Sequence, residues 1–298
     1  MRLCQYIDES GGPAPGLLTP RGIVSLRPLL ADHADLMHAN GIDPASCLTL
    51  DLLPIGDALA VAIDTAKLDL VPVLSADTML LPPVLPEKVF CIGLNYADHA
   101  AETGAEIPDT PVVFSKFNTA LAAHQQPIEL PAISERVDYE AELVVIIGNT
   151  CRYTPIDQAM NYVYGYCCGH DVSARDWQKG RAGGQWLLGK TFDTFGPLGP
   201  AAVHHSVVGD VASLRVQMRI NGETMQDSTT SQLIFTVPEL VSHLSQFCTL
   251  HPGDIIFTGT PPGVGAAKQP PRFLRDGDVC EVEIDGLGVL RNPVINAP

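Results

Sequence analysis

"VDYEAELVVIIG", residues 137–148, decides how the chain is read. Its second half is a continuous apolar run with the composition of a buried β-strand. Its first half places Asp138, Glu140 and Glu142 at alternate positions. Alternate side chains of a strand point to one face. Three carboxylates therefore share a face at the mouth of a strand that dives inward. The plain alternative is a frayed strand end with its carboxylates in water. Acids packed on one face repel, however, and a hard divalent cation with oxygen ligands (Mg²⁺, Mn²⁺ or Ca²⁺) would cancel that charge. Such a site needs a further ligand. "GYCCGHDVSARDWQ", residues 165–178, offers Asp171, with Arg175, Asp176 and Gln178 close behind it. His170 is also available, although a lone histidine among apolar residues is more often structural.

The rest of the chain suits a β-rich fold. In 298 residues there are 26 Gly and 25 Pro, which implies many turns, while 46% apolar residues suffice for a real core. Residues 88 onward alternate short strand patterns with turns: "KVFCIGLN", "PVVFSKF", "ELVVIIG", "LRVQMRING", "GDIIFTGTP" and "DVCEVEIDGLGVL", the last a hairpin with Asp-Gly at its turn. Helical spacing appears in "IGDALAVAIDTAKL", and after Thr-Pro and Thr-Val-Pro starts in "TPIDQAMNYVYGY" and "TVPELVSHLSQF". Two short strands flank a Gly/Pro turn, "GGPAPG", near the start, and the proline-rich "LLPPVLPEKVF" at 80–90 marks a boundary. The expected organisation is a small N-terminal domain, 1–80, and a catalytic domain, 81–298.

Charge and cysteine usage exclude several classes. A net charge of −16 argues against a nucleic-acid partner, which requires a basic face. No apolar run is long enough to span a bilayer, so no membrane role is expected. Met1–Ser10 lacks a basic segment followed by an apolar one, and a cytoplasmic protein is the expectation. The eight cysteines contain no C-x-x-C pair and read as reduced thiols.

Three more segments carry chemistry. In "GLNYADHAAETG", 93–104, a short helix would set His99 and Glu102 at i and i+3 on one side. A carboxylate beside an imidazole orients it as a general base; a surface pair is the plain alternative. In "LLGKTFDTFGPLGP", 187–200, Lys190 stands alone among apolar, Gly and Pro residues, suited to a carboxylate partner or a substrate oxyanion. "PGDIIFTGTPPGVG", 252–265, is a strand and Gly-rich turn without the Gly-Lys-Ser/Thr of a phosphate loop; its amides and the Thr260 hydroxyl could cradle a small carboxylate.

Taken in order, "GLNYADHAAE", "DYEAELVVIIG", "GHDVSARDWQ", "GKTFDTFGPLGP", "NGETMQDSTT", "PGDIIFTGTPPGVG" and "GDVCEVEIDGLG" resemble the fumarylacetoacetate hydrolase superfamily from about Lys88 to Val294. The resemblance implies a β-rich α+β fold, with a partly rolled sheet or barrel around the site, assembled as a homodimer. It implies Mg²⁺ or Mn²⁺ on Glu140, Glu142 and Asp171, with Ca²⁺ a possible occupant in a crystal, and Asp138 behind these ligands. The substrates implied are small α-keto acids. By the same resemblance, His99 oriented by Glu102 activates water, Lys190 stabilises an enolate, Arg175 and Gln178 hold substrate oxygens, and Thr260 with the Gly259 amide holds the pyruvate carboxylate. "QKGRAGGQW", 178–186, would wall the distal pocket. The expected reaction is hydrolysis of an acylpyruvate C–C bond. The alternatives are lyase or isomerase chemistry within the superfamily (oxaloacetate decarboxylation, ureidoglycolate cleavage, keto–enol diacid isomerisation) and a catalytically silent member that keeps the metal pocket.

Overall fold

The structure is a computed structural model that describes every residue of the chain except 66, 67, 69, 70, 182 and 183. Its centre is the strand Ala141–Ile147, buried along its whole length. Leu143, Val145 and Ile147 enter one apolar core, and Val144 and Ile146 enter a second on the opposite face. A strand covered on both sides has no solvent face, which is why its sequence is continuously apolar rather than alternating.

An 11-stranded mixed sheet extends on either side of it. On one flank lie Val163–His170, Gly196–His204, Arg2–Ile7, Pro13–Thr19 and Gly22–Ser25; on the other, Ile255–Phe257, Val89–Gly93 and Val112–Ser115. The path ends on different strands, so the sheet rolls without closing into a barrel. A second, five-stranded sheet runs Glu223–Thr229, Arg215–Ile220, Val279–Ile284, Gly288–Asn296 and Ile128–Leu130. Val216, Met218, Val282 and Leu290 of this sheet share the core of Leu143 and Val145. The opposite core is closed by Leu29, Leu30, Leu52, Leu53 and Leu59 of the N-terminal helical segments. Arg2–Ile7 pairs with Gly196–His204, so hydrogen bonding in the large sheet crosses residue 80. Among the described residues, no helix is long and apolar enough to cross a membrane.

Most expected elements form. The helix Val237–Phe247 starts at a capping box in which Glu239 accepts from the Thr236 amide at 2.7 Å. Gly56–Thr65 is helical, and Ala97–Thr103 is helical up to Gly104 in the left-handed region, φ 65°. Two segments differ. Residues 154–166 form only a 3₁₀ turn, Ile156–Tyr162, before Val163 begins a strand. Val163, Tyr164 and Tyr166 suit a pleated surface, and a Cβ at Gly165 would lie 1.9 Å from the Val203 carbonyl of the next strand. "GGPAPG" is a turn only at Gly11–Gly12; Pro13–Thr19 is a strand. It pairs with Gly22–Ser25 only from Gly16 on, so the missing N–H groups of Pro13 and Pro15 interrupt no ladder on that side.

Because Leu143 is wholly enclosed, Leu143→Ala is expected to cost about 2–5 kcal/mol through lost burial and the cavity left behind. Urea unfolding, followed by circular dichroism, reads this as a lower midpoint at unchanged slope.

Candidate functional site

The three alternating acids do not share one continuous strand: Asp138 ends the short strand Val137–Asp138, Glu140 precedes Ala141–Ile147, and of the three only Glu142 lies on it; they also do different work. Asp138 is fully buried and accepts from the backbone amides of Tyr139, Gly265 and Ala266 at 2.7–3.0 Å. It also pairs with Arg175 Nε at 2.8 Å. It therefore anchors the 264–266 turn and Arg175. Glu140 and Glu142 face Asp171, and one oxygen of each of the three lies within 4.8 Å of the others. Asp171 comes from the adjacent strand: His170 is in register with Ala141, and the Asp171 amide donates to the Glu140 carbonyl at 2.9 Å.

Two buried lysines and the partly buried Arg175 hold these acids. Lys190 Nζ bridges Glu140 Oε2 at 2.6 Å and Asp171 Oδ2 at 2.7 Å. Arg175 Nη2 meets Glu140 Oε1 at 2.6 Å. Lys116, which sequence reasoning missed, puts Nζ 2.6 Å from Asp171 Oδ1 and donates to the carbonyls of Val172, Lys190 and Phe195. Its only sequence signal is a lone lysine ending the strand pattern "PVVFSKF". Burial pushes Glu140 toward neutrality, but Lys190 and then Arg175 outweigh it and hold its carboxyl well below the usual range. Burial acts on Glu142 in the same direction, but there the charges of Asp171 and Glu140 reinforce it, so this carboxyl is raised well above the ordinary value. Burial disfavours the Lys190 ammonium, yet Asp171 and Glu140 keep it charged.

This donor set makes a candidate metal site. Its three carboxylates are convergent and buried, supply only oxygen, and include one, Glu142, whose charge no ion pair offsets among the described residues. A hard divalent cation suits such a site.

The remaining expected residues surround this centre. His99 Nδ1 lies 2.9 Å from Glu102 Oε2, and Glu102 accepts from the Gly263 amide at 3.0 and 3.3 Å. Gln178 Oε1 accepts from Arg175 Nη1 at 2.9 Å. Gly259 donates its amide to Glu142 Oε2 at 2.8 Å, so that N–H serves a carboxylate of the protein. It does so at φ 103°, where a side chain would also put Cβ 2.8 Å from the Asn95 Cβ. The Thr260 hydroxyl donates to the Ala141 carbonyl at 3.1 Å and accepts from Gln226 Nε2 at 2.8 Å. Gln226 is a second residue missed in the sequence: its Oε1 accepts from the Ala141 amide at 2.9 Å, pinning the start of the acid strand.

A narrow cavity of about 50 Å³ beside Glu140, Glu142, Lys190 and Thr260 also touches His99. His99 borders a second, wider cleft of about 600 Å³ as well, lined by Arg136, Arg175, Lys179 and Arg181 with Asp176 as its single acid. Of the expected distal wall 178–186, residues 182 and 183 lie outside the described residues. A further cavity, about 770 Å³, opens elsewhere, between Arg2, Met79, His124 and Leu287, and none of the buried carboxylates lines it.

A strand-borne acid centre, a His–Glu pair at its mouth and an open rolled sheet define the class. The sequence matches the fumarylacetoacetate (FAA) hydrolase C-terminal family over residues 88–295, and the chain belongs to that family. It is 44% identical to a mitochondrial oxaloacetate tautomerase of Bos taurus, over 99% of this chain and 92% of that protein. Among solved structures, a fumarylacetoacetate hydrolase from Exiguobacterium antarcticum superposes with a TM-score of 0.84 at 33% identity, covering 100% of both chains. A maleylpyruvate hydrolase from Sphingobium sp. SYK-6, solved with manganese(II) and pyruvate, superposes with a TM-score of 0.80 at 30% identity, also covering 100% of both chains. The relatives thus include both tautomerase and hydrolase names. The cytoplasmic expectation is corrected by the first of these, since the Bos taurus relative is named as mitochondrial. A mitochondrial address is written in a leader rather than in the folded domain, so the composition of the body is no guide to it.

Lys116→Met is expected to destabilise the fold by about 3–5 kcal/mol, because it strands the Asp171 charge in the interior; denaturant titration measures this. Cation uptake should release protons as the pH is lowered toward the titration range of Glu142, since this carboxyl is raised well above the ordinary value and must lose its proton to ligate. Apparent metal affinity should therefore fall as pH drops. Isothermal titration in buffers of different ionisation enthalpy counts the protons, and zero release would contradict the charge balance described above.

Proposed function

We propose that this protein is a divalent-metal-dependent tautomerase of a 2-oxo dicarboxylate, with oxaloacetate as its substrate. The observation that carries the reading is the position of His99. The imidazole, steadied by Glu102, borders both the carboxylate–lysine centre and the cationic cleft. Keto–enol interchange asks for little more: one proton moves on or off carbon, another moves on or off oxygen, and no carbon–carbon bond breaks. The similarity to an oxaloacetate tautomerase across nearly the whole chain supports this choice over the acylpyruvate hydrolysis expected from sequence.

In this reading Glu140, Glu142 and Asp171 would hold Mg²⁺ or Mn²⁺, which would supply Lewis-acid polarisation of the reacting carbonyl. Lys190 spends two of its three N–H groups on Glu140 and Asp171 and turns the third to the 2-oxygen as negative charge develops there. His99 takes the proton from C3 of the keto form while solvent water supplies the proton to the enolate oxygen; in reverse, water takes the enol O–H proton and the imidazolium returns its proton to C3. Glu102, itself held by the Gly263 amide, fixes the ring's orientation and balances the imidazolium that forms. The distal carboxylate lies in the cleft of Arg136, Lys179 and Arg181. Arg181 is braced by stacking on Trp177, 4.5 Å from the ring centroid. Hydrolysis would need the same His–Glu pair aimed at water, and the maleylpyruvate hydrolase neighbour keeps that as the second reading.

Chelator-stripped protein reloaded with Mg²⁺ or Mn²⁺ should speed the ultraviolet absorbance change of enol oxaloacetate beyond a free-metal control, without releasing pyruvate. Pyruvate release from acetylpyruvate or fumarylpyruvate, with no effect on the enol, would move the assignment to hydrolase. His99→Ala should lose about 10²–10⁴-fold in turnover while binding metal at the same stoichiometry. Arg136→Ala should raise KM for the dicarboxylate more than it lowers kcat.

A further inference from the structure

A second cluster of ligand groups lies outside the catalytic centre, where the helix Gly56–Thr65 meets the end of the strand Gly196–His204. Asp57 stands in the first turn of that helix, and His204 and His205 are consecutive at the strand end. Both imidazoles converge on one carboxylate oxygen. Asp57 Oδ1 lies 3.4 Å from His204 Nε2 and 3.1 Å from His205 Nε2, and the three donor atoms fall within 4.8 Å of one another. We infer that Asp57, His204 and His205 form a second metal site, for a borderline transition ion such as Zn²⁺, that fastens the N-terminal helix to the central sheet.

The spacing fits the ion. Tetrahedral Zn²⁺ with bonds near 2.0–2.1 Å sets neighbouring ligand atoms about 3.3 Å apart. Two imidazoles and one carboxylate also favour Zn²⁺ over the hard cation suited to the all-oxygen centre. The geometry is built rather than incidental. His204 is buried, its ring edge-on to Tyr164 with centroids 5.2 Å apart, and its Nδ1 lies 2.8 Å from Ser206 Oγ. Nδ1 also accepts from the Ser206 amide at 3.4 Å, so without an ion the Nε2 proton faces Asp57; ligation at Nε2 would move the proton to Nδ1, where the Ser206 hydroxyl stands ready to accept it, the arrangement that orients ligating histidines elsewhere. Gly56 lets the helix come this close. A Cβ there would sit 2.8 Å from the Tyr164 ring and 3.2 Å from His204 Cδ2. Asp57 and His205 are exposed, so an ion can enter from solvent, and the fourth position is left for water.

The alternative is a plain pair of N–H···carboxylate hydrogen bonds, and metal counting separates the two. Full-length protein is titrated with Co²⁺, a spectroscopic stand-in for Zn²⁺, by equilibrium dialysis and visible absorption. Wild type should take two equivalents. Asp57→Asn and His205→Ala should each take one and keep full Mg²⁺-supported activity; both substitutions are at exposed side chains, which protects the fold. Glu142→Gln should retain one equivalent, with the intense visible band of four-coordinate Co²⁺. Zn²⁺ should raise the Tm of Glu142→Gln but not of Glu142→Gln/His205→Ala. The inference is overturned if Asp57→Asn and His205→Ala still bind as much Co²⁺ as wild type, or if Glu142→Gln binds none.

Discussion

Everything near the site depends on balancing buried carboxylates. Asp138, Glu140, Glu142 and Asp171 face Lys116, Arg175 and Lys190 in a nearly dry interior. Unpaired charge there costs several kcal/mol per ion, so the balance dictates local structure. Lys116 arrives from the strand beside Val89–Gly93, Arg175 from the turn after Val163–His170, and Lys190 from the short helix Trp186–Lys190. Each of these segments is pinned to the acid strand through its cation. Four acids against three cations leave one carboxyl without an ion-pair partner among the described residues, Glu142, which accepts from the neutral Gly259 amide and is pushed toward its protonated form. A divalent ion that displaced its proton would leave the centre with a single positive charge, a setting for an anionic substrate.

The same balance explains what could be read in advance. Period two in "DYEAE" gives the shared face directly, and the apolar run after it gives burial. Asp171 was nameable as a candidate because it follows another buried run. Lys116 was not, because nothing local says that a strand edge 55 residues before Asp171 folds against it. Gln226 was hidden for a similar reason: it sits in a hairpin of the second sheet and reaches across to cap the first. Residues 154–166 were misread because apolar and aromatic side chains at Met160, Val163, Tyr164 and Tyr166 fit helical and strand periods almost equally over so short a window. The neighbouring strand breaks the tie, since only a glycine at 165 admits its backbone.

Fold and acid centre do not distinguish moving a proton from breaking a carbon–carbon bond, because both reactions build negative charge on the same oxygen. The difference must lie farther out, in what the His99 imidazole meets and in what the wide cleft accepts. Arg136, Lys179 and Arg181 make no ion pair with the carboxylates, and among the described residues Asp176 is the one acid lining the cleft with them. Asp176 is in turn occupied by the Ser134 hydroxyl and the Glu135 amide. The cleft is therefore positive on balance, which favours a substrate ending in a second carboxylate over one ending in an apolar acyl group.

That local sign runs against the molecule as a whole. A chain with net charge −16 repels a dianion at long range, yet the cleft attracts it at contact. The two effects differ in reach. At physiological ionic strength, fields decay over about 8 Å, so distant surface acids are largely screened from an approaching anion. Contacts inside the cleft are much less screened, and each fixed cation acts with the site's own charge rather than against it. The overall acidity therefore lowers the encounter rate mainly at low salt, where the repulsion reaches far. Within the cleft, Arg136, Arg175, Lys179 and Arg181 act at contact distance, so a strongly acidic protein can still present a locally cationic pocket to an anion.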